Sequence, residues 1–565
     1  MNLLADPWLP FQDKNGAVTY QPPSALADPD ILDLELPRAD FQGAAWQFLI
    51  GLLQTAMTPK NTDAWLDRYQ QPPSVEELEA ALAPFAAAFE LDGDGPRFMQ
   101  DIDPLEDVKV SSVAGLLIDS PGINTVKKNR DFFVKRGRVE AMCQDCAALA
   151  LYTMQINAPE GGASIRTGLR GGGPLATLIL PEDETQPLWK RLWPNVMPAD
   201  ALPQPGQTWR TPSAEDPDLF FWMSRTRVSD SKGTEVYPEQ VHPLHVFWSM
   251  PRRYRLLFEG DSGGCDLCGR EAAQLVRQLR SKTHGVNYEG PWRHPLTPYR
   301  MNPKKPENFP YSRKGQADGL GYRHWPGLVL EDETVSGTLP ARAVTHHLKK
   351  YQMVKAAQDD GEAFDALFQR VRLWVFGYDM KQANAQGWYS TEMPLVGVPD
   401  RYQDLFRGWV QRFVDLAGDF AWTVRNQLKR AWFKRPEDAK GDMSQIDAQF
   451  FEATQLAFFE ALRQMGETLR DDIPEPVLSS EVHKIWHQSL KNEALKLFDA
   501  QAISGPLEGM KMQQLERITG ARRYLLAYLN GSGKKVGKTV QTFAKAGGFE
   551  LPAQAPKTNN TESAA

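Results

Sequence analysis

Along the last third of the chain, apolar positions recur at intervals of three and four, the period that places them on one side of an α-helix. Phe406, Trp409, Phe413, Leu416, Phe420, Val424 and Leu428 form the first stripe, which predicts a long helix ending near Phe433. After Pro436 and Gly441, a second stripe carries Ile446, Phe450, Ala453, Ala457, Leu462 and Met465. Pro474 and Pro476 interrupt it. A third segment runs from about Ser480 through Ile485, Trp486, Leu490, Leu497 and Phe498, and beyond Gly505-Pro506 a fourth carries Leu515, Ile518, Leu525 and Leu529. Long helices with short connections pack as antiparallel neighbours, so the pattern predicts an up-and-down four-helix bundle over about 398–530.

Upstream the pattern is mixed. Helical stretches near Ala44–Met57 and Val75–Phe89 alternate with short β-like runs and many Pro and Gly breaks, the mark of an α+β fold. Asn15-Gly16 between Trp8-Leu9 and Val18-Thr19-Tyr20 predicts an opening hairpin, because that dipeptide tolerates the positive φ of a tight turn. The expected organisation is a large mixed α+β domain over 1–395, a C-terminal four-helix bundle over 396–548 and a disordered tail over 549–565. The 565 residues exceed what one core organises, and 42% apolar content with 16 Trp supplies material for two or three. The longest apolar run, Ala44–Met57, contains Gln47 and Gln54 and is too short to span a bilayer. The first residues show neither a basic stretch nor an apolar one of signal type, so a cytoplasmic protein with no membrane partner is expected.

The net charge of −7 conceals a strong asymmetry. Residues 1–120 hold 20 acidic and 6 basic side chains, net −14, which leaves +7 on the remainder. Residues 121–170 hold 8 basic and 4 acidic side chains, and residues 505–548 hold 8 and 2. Either segment can face phosphates, since counterion release is local to a patch. A solvated face is the competing reading.

All four cysteines fall in two pairs, Cys143-x-x-Cys146 and Cys265-x-x-Cys268, with Gly263, Gly264 and Gly269 suited to the second turn. Two such pairs complete a tetrahedral sulfur shell for Zn2+, and a full cysteine shell leaves no open position for water, so the ion would be structural. Reduced metal-free thiols and disulfides are the alternatives. Gly531-Ser-Gly-Lys-Lys-Val-Gly-Lys-Thr539 approaches a phosphate loop, but five residues separate Gly531 from Gly537 where the pattern needs four, and a helix rather than a strand precedes it. It reads as a flexible basic tail. His483 and His487 stand four apart with no third ligand, as a core or surface pair would. Asp92 and Asp94 begin like a calcium loop that Pro96 and Arg97 at once abandon. The segment 157–173 has six glycines, with Arg166 and Arg170 among them. Bare backbone of this kind suits close approach to a groove or a phosphate, and equally an ordinary tight loop.

Taken together, Asn2-Leu-Leu-Ala-Asp-Pro-Trp-Leu-Pro10, the paired cysteine turns, Gly168-Leu-Arg-Gly-Gly172 and Asn287-Tyr-Glu-Gly-Pro-Trp-Arg-His-Pro295 resemble one family from the N-terminus to the terminal bundle. It is the CasA family, the large subunits of Cascade, the type I-E CRISPR surveillance complex. The resemblance implies a non-catalytic subunit that recognises the protospacer-adjacent motif in double-stranded DNA, helps to open the duplex and recruits the helicase-nuclease. Implied partners are the backbone, small and guide-processing subunits and the CRISPR RNA.

Family roles carry over residue by residue. The glycine loop that approaches the minor groove matches Gly161, Gly162, Ala163 and Ser164. Ala163 falls where the family has its contacting glycine, so either Gly162 makes the contact after a one-residue shift or the methyl group is accommodated. The lysine finger aligns at Thr283, with Lys282 immediately before it. The wedge glutamine follows a Gly-Tyr pair, and Gly377-Tyr378-Asp379-Met380-Lys381-Gln382-Ala383 places it at Gln382. A further loop of Lys127, Lys128, Arg130, Phe132, Phe133 and Lys135 matches a region near guide RNA and neighbouring subunits, although its aromatics suit burial as well as stacking. A minor groove offers acceptors plus one guanine amine, so a backbone probe with one lysine discriminates loosely. Two alternatives stand beside this reading: a zinc-stabilised enzyme binding a phosphate at the glycine-rich loop, and a pure assembly scaffold.

Overall fold

The structure, a computed structural model, describes all residues except 130–133, 163, 260–261, 317–318, 356–369, 382–383, 471–472, 504–509 and 553–565. The chain divides into two compact units: Met1–Ala317 with Gly327–Leu395, and Asp318–Pro326 with Val396–Ala565.

The first unit is mixed α and β, as its pattern predicts. Leu9–Asp13 and Val18–Gln21 form the opening hairpin, and Ile31–Leu34 adds a third antiparallel strand. Gly16 takes φ +79° in the turn, where the Asp13 carboxylate accepts from the Asn15 and Ala17 amides. Ala39–Ala56, the expected apolar helix, lies almost wholly buried. Around its Phe48 ring pack Trp8, Phe89, Phe98, Tyr152 and Trp248, mostly edge to face. The two glutamines on this helix are buried and paired. Gln54 exchanges two hydrogen bonds of 2.8 Å with the Met197 backbone, while Gln47 accepts from Arg170 at 2.8 Å.

Two antiparallel ladders carry the regions of interest. Leu275–Lys282 pairs with Arg253–Glu259 on one side, and its first residues pair with Met142–Cys143. Val371–Lys381 lies between Ala176–Pro181 and Asn384–Pro394, a ladder that closes on the pair Lys381 and Asn384. Gln382 and Ala383 between them lie outside the described residues.

In the second unit the four expected helices are Gln403–Trp432, Ser444–Thr468, Ser480–Ala502 and Met512–Leu529. Every residue of the first stripe is buried. The second stripe differs: Ala453 is exposed and Ala457 only half-buried, while Thr454 and Phe458 face inward. Their partner comes from far upstream, since Tyr322 stacks on Phe458 at 4.5 Å and its hydroxyl meets Thr454 Oγ1 at 2.9 Å. Ile485 is 50% exposed, leaving Trp486 as the anchor of the third helix. A fifth helix, Val536–Ala546, buries Val540 and Phe543, so Gly531–Thr539 is a turn into packed structure and not a flexible tail. Phe549 follows against His487 and Phe543. His483 and His487 are core residues, bonded to the Ser479 and Leu529 carbonyls at 3.0 and 2.9 Å.

Candidate metal centre and nucleic-acid interface

The four cysteine sulfurs lie within 4.8 Å of one another. Tetrahedral metal–sulfur bonds of about 2.3 Å require sulfurs about 3.8 Å apart, and Cys143 Sγ stands 3.8 Å from Cys268 Sγ. Each pair is shaped by its backbone. Cys143 ends a short strand and caps the helix Gln144–Asn157, its sulfur accepting from the Cys146 amide at 3.4 Å. The second pair sits in a tight hairpin between Gly263–Gly264 and Glu271–Ala272, with Gly269 at φ +73° and its amide on the Cys265 carbonyl at 2.9 Å. Asp266 ties the two turns together by accepting from the Glu140 and Ala141 amides at 2.7 and 2.8 Å. The hydrogen bonds that the Cys146 thiol donates to its neighbours, with burial, push it far up, whereas accepting from Cys146 draws Cys268 down. Arg270 holds Asp145 at 2.8 Å and lies 3.4 Å from the Tyr20 ring, which fastens the centre to the opening hairpin. The donor set fits one thiophilic divalent ion.

The glycine segment 157–173 meets two of the other predicted regions. At one end Gly161 and Gly162 are exposed, and Gly162 takes φ +99° with open space where a side chain would be. Ser164 O accepts from His284 N at 2.8 Å, which joins this turn to the loop after Lys282. His284 itself adopts φ +60°, and the next residue must be glycine: a Cβ on Gly285 would stand 2.0 Å from the Pro251 carbonyl oxygen. Ser229 braces the joint, its amide donating to His284 O at 3.1 Å while its oxygens accept two bonds of 2.7 Å from Arg166. At the other end a Cβ on Gly173 would meet Met380 Cγ at 2.4 Å and Tyr378 Cβ at 3.0 Å, so this glycine lets the loop lie against the strand that ends at Lys381.

Of the predicted side chains, Thr283 and Lys381 are exposed and Ser164 is half-buried. Lys282 donates to Asp107 at 2.6 Å, and that bond holds the Asp107 carboxyl below its usual range. Arg170 does not face solvent. It is 4% exposed and donates to Gln47, Thr297 and the Ile156 carbonyl, so it fastens the loop to the core and supplies no surface charge. Lys127, Lys128 and Lys135 are exposed. Ala163, Gln382, Ala383, Arg130, Phe132 and Phe133 lie outside the described residues. Sequence reasoning missed Asp107, 175 positions from its lysine, and Ser229, neither of which stands in a recognisable pattern. Lys314 was also missed. It is exposed, and its Nζ lies 4.0 Å from where a Cβ of Gly171 would stand.

Among the described residues no helix is long and apolar enough to cross a membrane. Comparison with known proteins places the geometry in context. The family model of CRISPR-associated protein Cse1 matches residues 2–497. Among solved structures, CasA of Thermus thermophilus superposes with a TM-score of 0.66 at 17% identity, covering 93% of this chain and 99% of that one. Cse1 of Acidimicrobium ferrooxidans gives 0.64 at 14% identity, covering 96% and 99%. Cse1 of Thermobifida fusca gives 0.64 at 16%, covering 95% and 98%.

Proposed function

The chain belongs to the CRISPR-associated Cse1 (CasA) family, the large subunits of type I-E Cascade, and from that premise we propose that it reads the protospacer-adjacent motif in double-stranded DNA and starts strand separation. The observation that carries this reading is the hydrogen bond from His284 N to Ser164 O. It sets an exposed glycine turn beside the loop that follows Lys282, while the same glycine segment packs against the strand leading to Gln382. A bare backbone ridge enters the minor groove, Lys282 exchanges Asp107 for a groove acceptor, and Gln382 wedges between base pairs. The unstacking, about a few kcal/mol per step, is offset when guide RNA pairs with the target strand.

In this reading the cysteine centre holds a structural Zn2+ through Cys143, Cys146, Cys265 and Cys268. The ion supplies rigidity, and this polypeptide transforms nothing chemically. Exposed Lys127, Lys128 and Lys135 face CRISPR RNA or neighbouring Cascade subunits, and the assembled cytoplasmic complex recruits the helicase-nuclease.

Gel shifts with the assembled complex test the reading. Lys282→Ala should weaken binding of a matched target several-fold, the scale of one charged groove contact. Gln382→Ala should leave duplex binding largely intact while slowing strand opening, followed by 2-aminopurine fluorescence beside the motif. Equal affinity for targets with intact and scrambled adjacent motifs would refute motif reading.

A further inference from the structure

The turn Gly531–Lys535 plays no part in the function proposed above. In the second unit it reverses the chain between the helices Met512–Leu529 and Val536–Ala546, and it also forms one rim of a cavity of about 540 Å³. That volume lies in the range of small-molecule sites. Gly531 and Gly533 take left-handed φ of +90° and +96°. A Cβ on Gly533 would stand 2.8 Å from the Tyr528 ring, so glycine lets the turn lie against that ring. Lys534 and Lys535 are thereby delivered to the mouth of the cavity.

The facing wall comes from the long helix Gln403–Trp432, which contributes Trp422, Gln427 and Arg430. Trp422 is 43% exposed, and Lys535 Nζ stands 5.4 Å from its ring centroid. Gln427 is 3% exposed, yet its Oε1 has no hydrogen-bond partner among the described residues. A buried amide oxygen without a donor is costly to keep. Lys429 adds a fourth cation to the lining, and Glu437 is the acid among those residues.

We propose that this cavity binds a nucleotide. The base lies against Trp422 and Tyr528, and the phosphate is held by Lys534 and Lys535 with Arg430 nearby. An aromatic face beside a cationic rim is the combination that stacks a base while neutralising its phosphate. An acidic peptide would use the lysines but leave the exposed indole without a role. The site lies wholly within the second unit and does not depend on the DNA-reading residues of the first.

Two probes separate the sources of such a ligand: free dTMP, followed by calorimetry, and fluorescein-labelled (dT)10, followed by anisotropy, each with the full chain. Trp422→Ala should weaken binding about tenfold, the scale of one base stacked on an aromatic ring. Lys534→Ala with Lys535→Ala should weaken it further and flatten the slope of log affinity against log salt by about 1.4 for the oligonucleotide, at about 0.7 per phosphate contact. Trp422→Phe should retain most of the affinity, and melting curves confirm that each variant folds. Binding of dTMP with this dependence assigns a free nucleotide, and binding of (dT)10 alone assigns one unit of a single strand. Failure of both probes to bind, or binding unaltered in both the Trp422→Ala and the double-lysine variants, overturns the proposal.

Discussion

The two units hold together by different kinds of contact. In the first, residues far apart in sequence are tied one to another: Cys143 to Cys268, Arg170 to Gln47 and Thr297, Ser164 to His284, Lys282 to Asp107. In the second, the core is built around one element: the apolar face of Gln403–Trp432 packs against the helices Ser444–Thr468, Ser480–Ala502 and Met512–Leu529. A helix of that length keeps most of its own hydrogen bonds when one neighbour loosens. The glycine turn beside Lys282 has no comparable reserve, because its shape exists only while the distant segments that brace it stay together. The surface proposed to read DNA is therefore the part of the molecule most exposed to loss of a single tie.

Cutting the strongest tie should break that contrast open. Cys265→Ala with Cys268→Ala removes half of the sulfur shell, and structural zinc sites of this type contribute on the order of 10 kcal/mol. Metal content measured by mass spectrometry should fall to zero. Hydrogen exchange should rise across 142–157 and 263–285 while Gln403–Trp432 keeps its protection. Uniform loss of protection in both units would show that the centre does not act locally, and no loss in either would remove its structural role.

Acid should sharpen the same contrast, with a smaller effect. The first unit holds five imidazoles whose pKa burial lowers, four of them buried and His346 half-buried: His242 to about 4, His245 and His346 to about 3, and His294 and His347 well down. The second buries two, His483 and His487, lowered by the same cause. A base whose folded pKa is depressed leaves stability intact above its unfolded value near 6.5. Stability falls as pH drops below that, because the unfolded chain takes the proton first. Each group contributes up to about 1.4 kcal/mol per pH unit through this window. Between pH 6.5 and 5, exchange protection should decline more steeply in the first unit, and equal slopes would contradict the assignment.

A distinction between periodic pattern and individual distant ties explains what was legible in the sequence. The stripe from Phe406 to Leu428 could be read directly, because every partner it needs is implied by its own period. The second stripe was misread by one position at Ala453, since what turns Thr454 and Phe458 inward is Tyr322, more than a hundred residues upstream. The cysteine turns were legible because two thiols three positions apart state their chemistry without help from the fold. Arg170 stayed open for the opposite reason: among glycines it suits a phosphate and an ordinary loop alike, and only its bond to Gln47, buried on a helix, shows where its charge goes. Gln427 carried no signal at all, for an amide on an apolar stripe becomes notable only when its oxygen is seen to lack a donor.

One added methyl group gives the smallest test of the comparison, and its sign should reverse between the units. Gly285 lies in the loop joined to the glycine turn, where an alanine Cβ would stand 2.0 Å from a backbone oxygen that cannot rotate away. Gly285→Ala should destabilise the first unit by about 3 kcal/mol, as forced overpacking does, and should expose the 282–285 amides to exchange. Gly418 lies within the helix Gln403–Trp432, with nothing within 4 Å of the added carbon. There alanine meets no neighbour and restricts the unfolded chain, so Gly418→Ala should stabilise the second unit by about 0.5–1 kcal/mol. Denaturant melts of the two variants read both numbers. A destabilising Gly418→Ala would mean that the helix surface is packed by something the bare chain does not show, and a neutral Gly285→Ala would mean that the loop beside Lys282 is free to move and cannot hold a rigid reading surface.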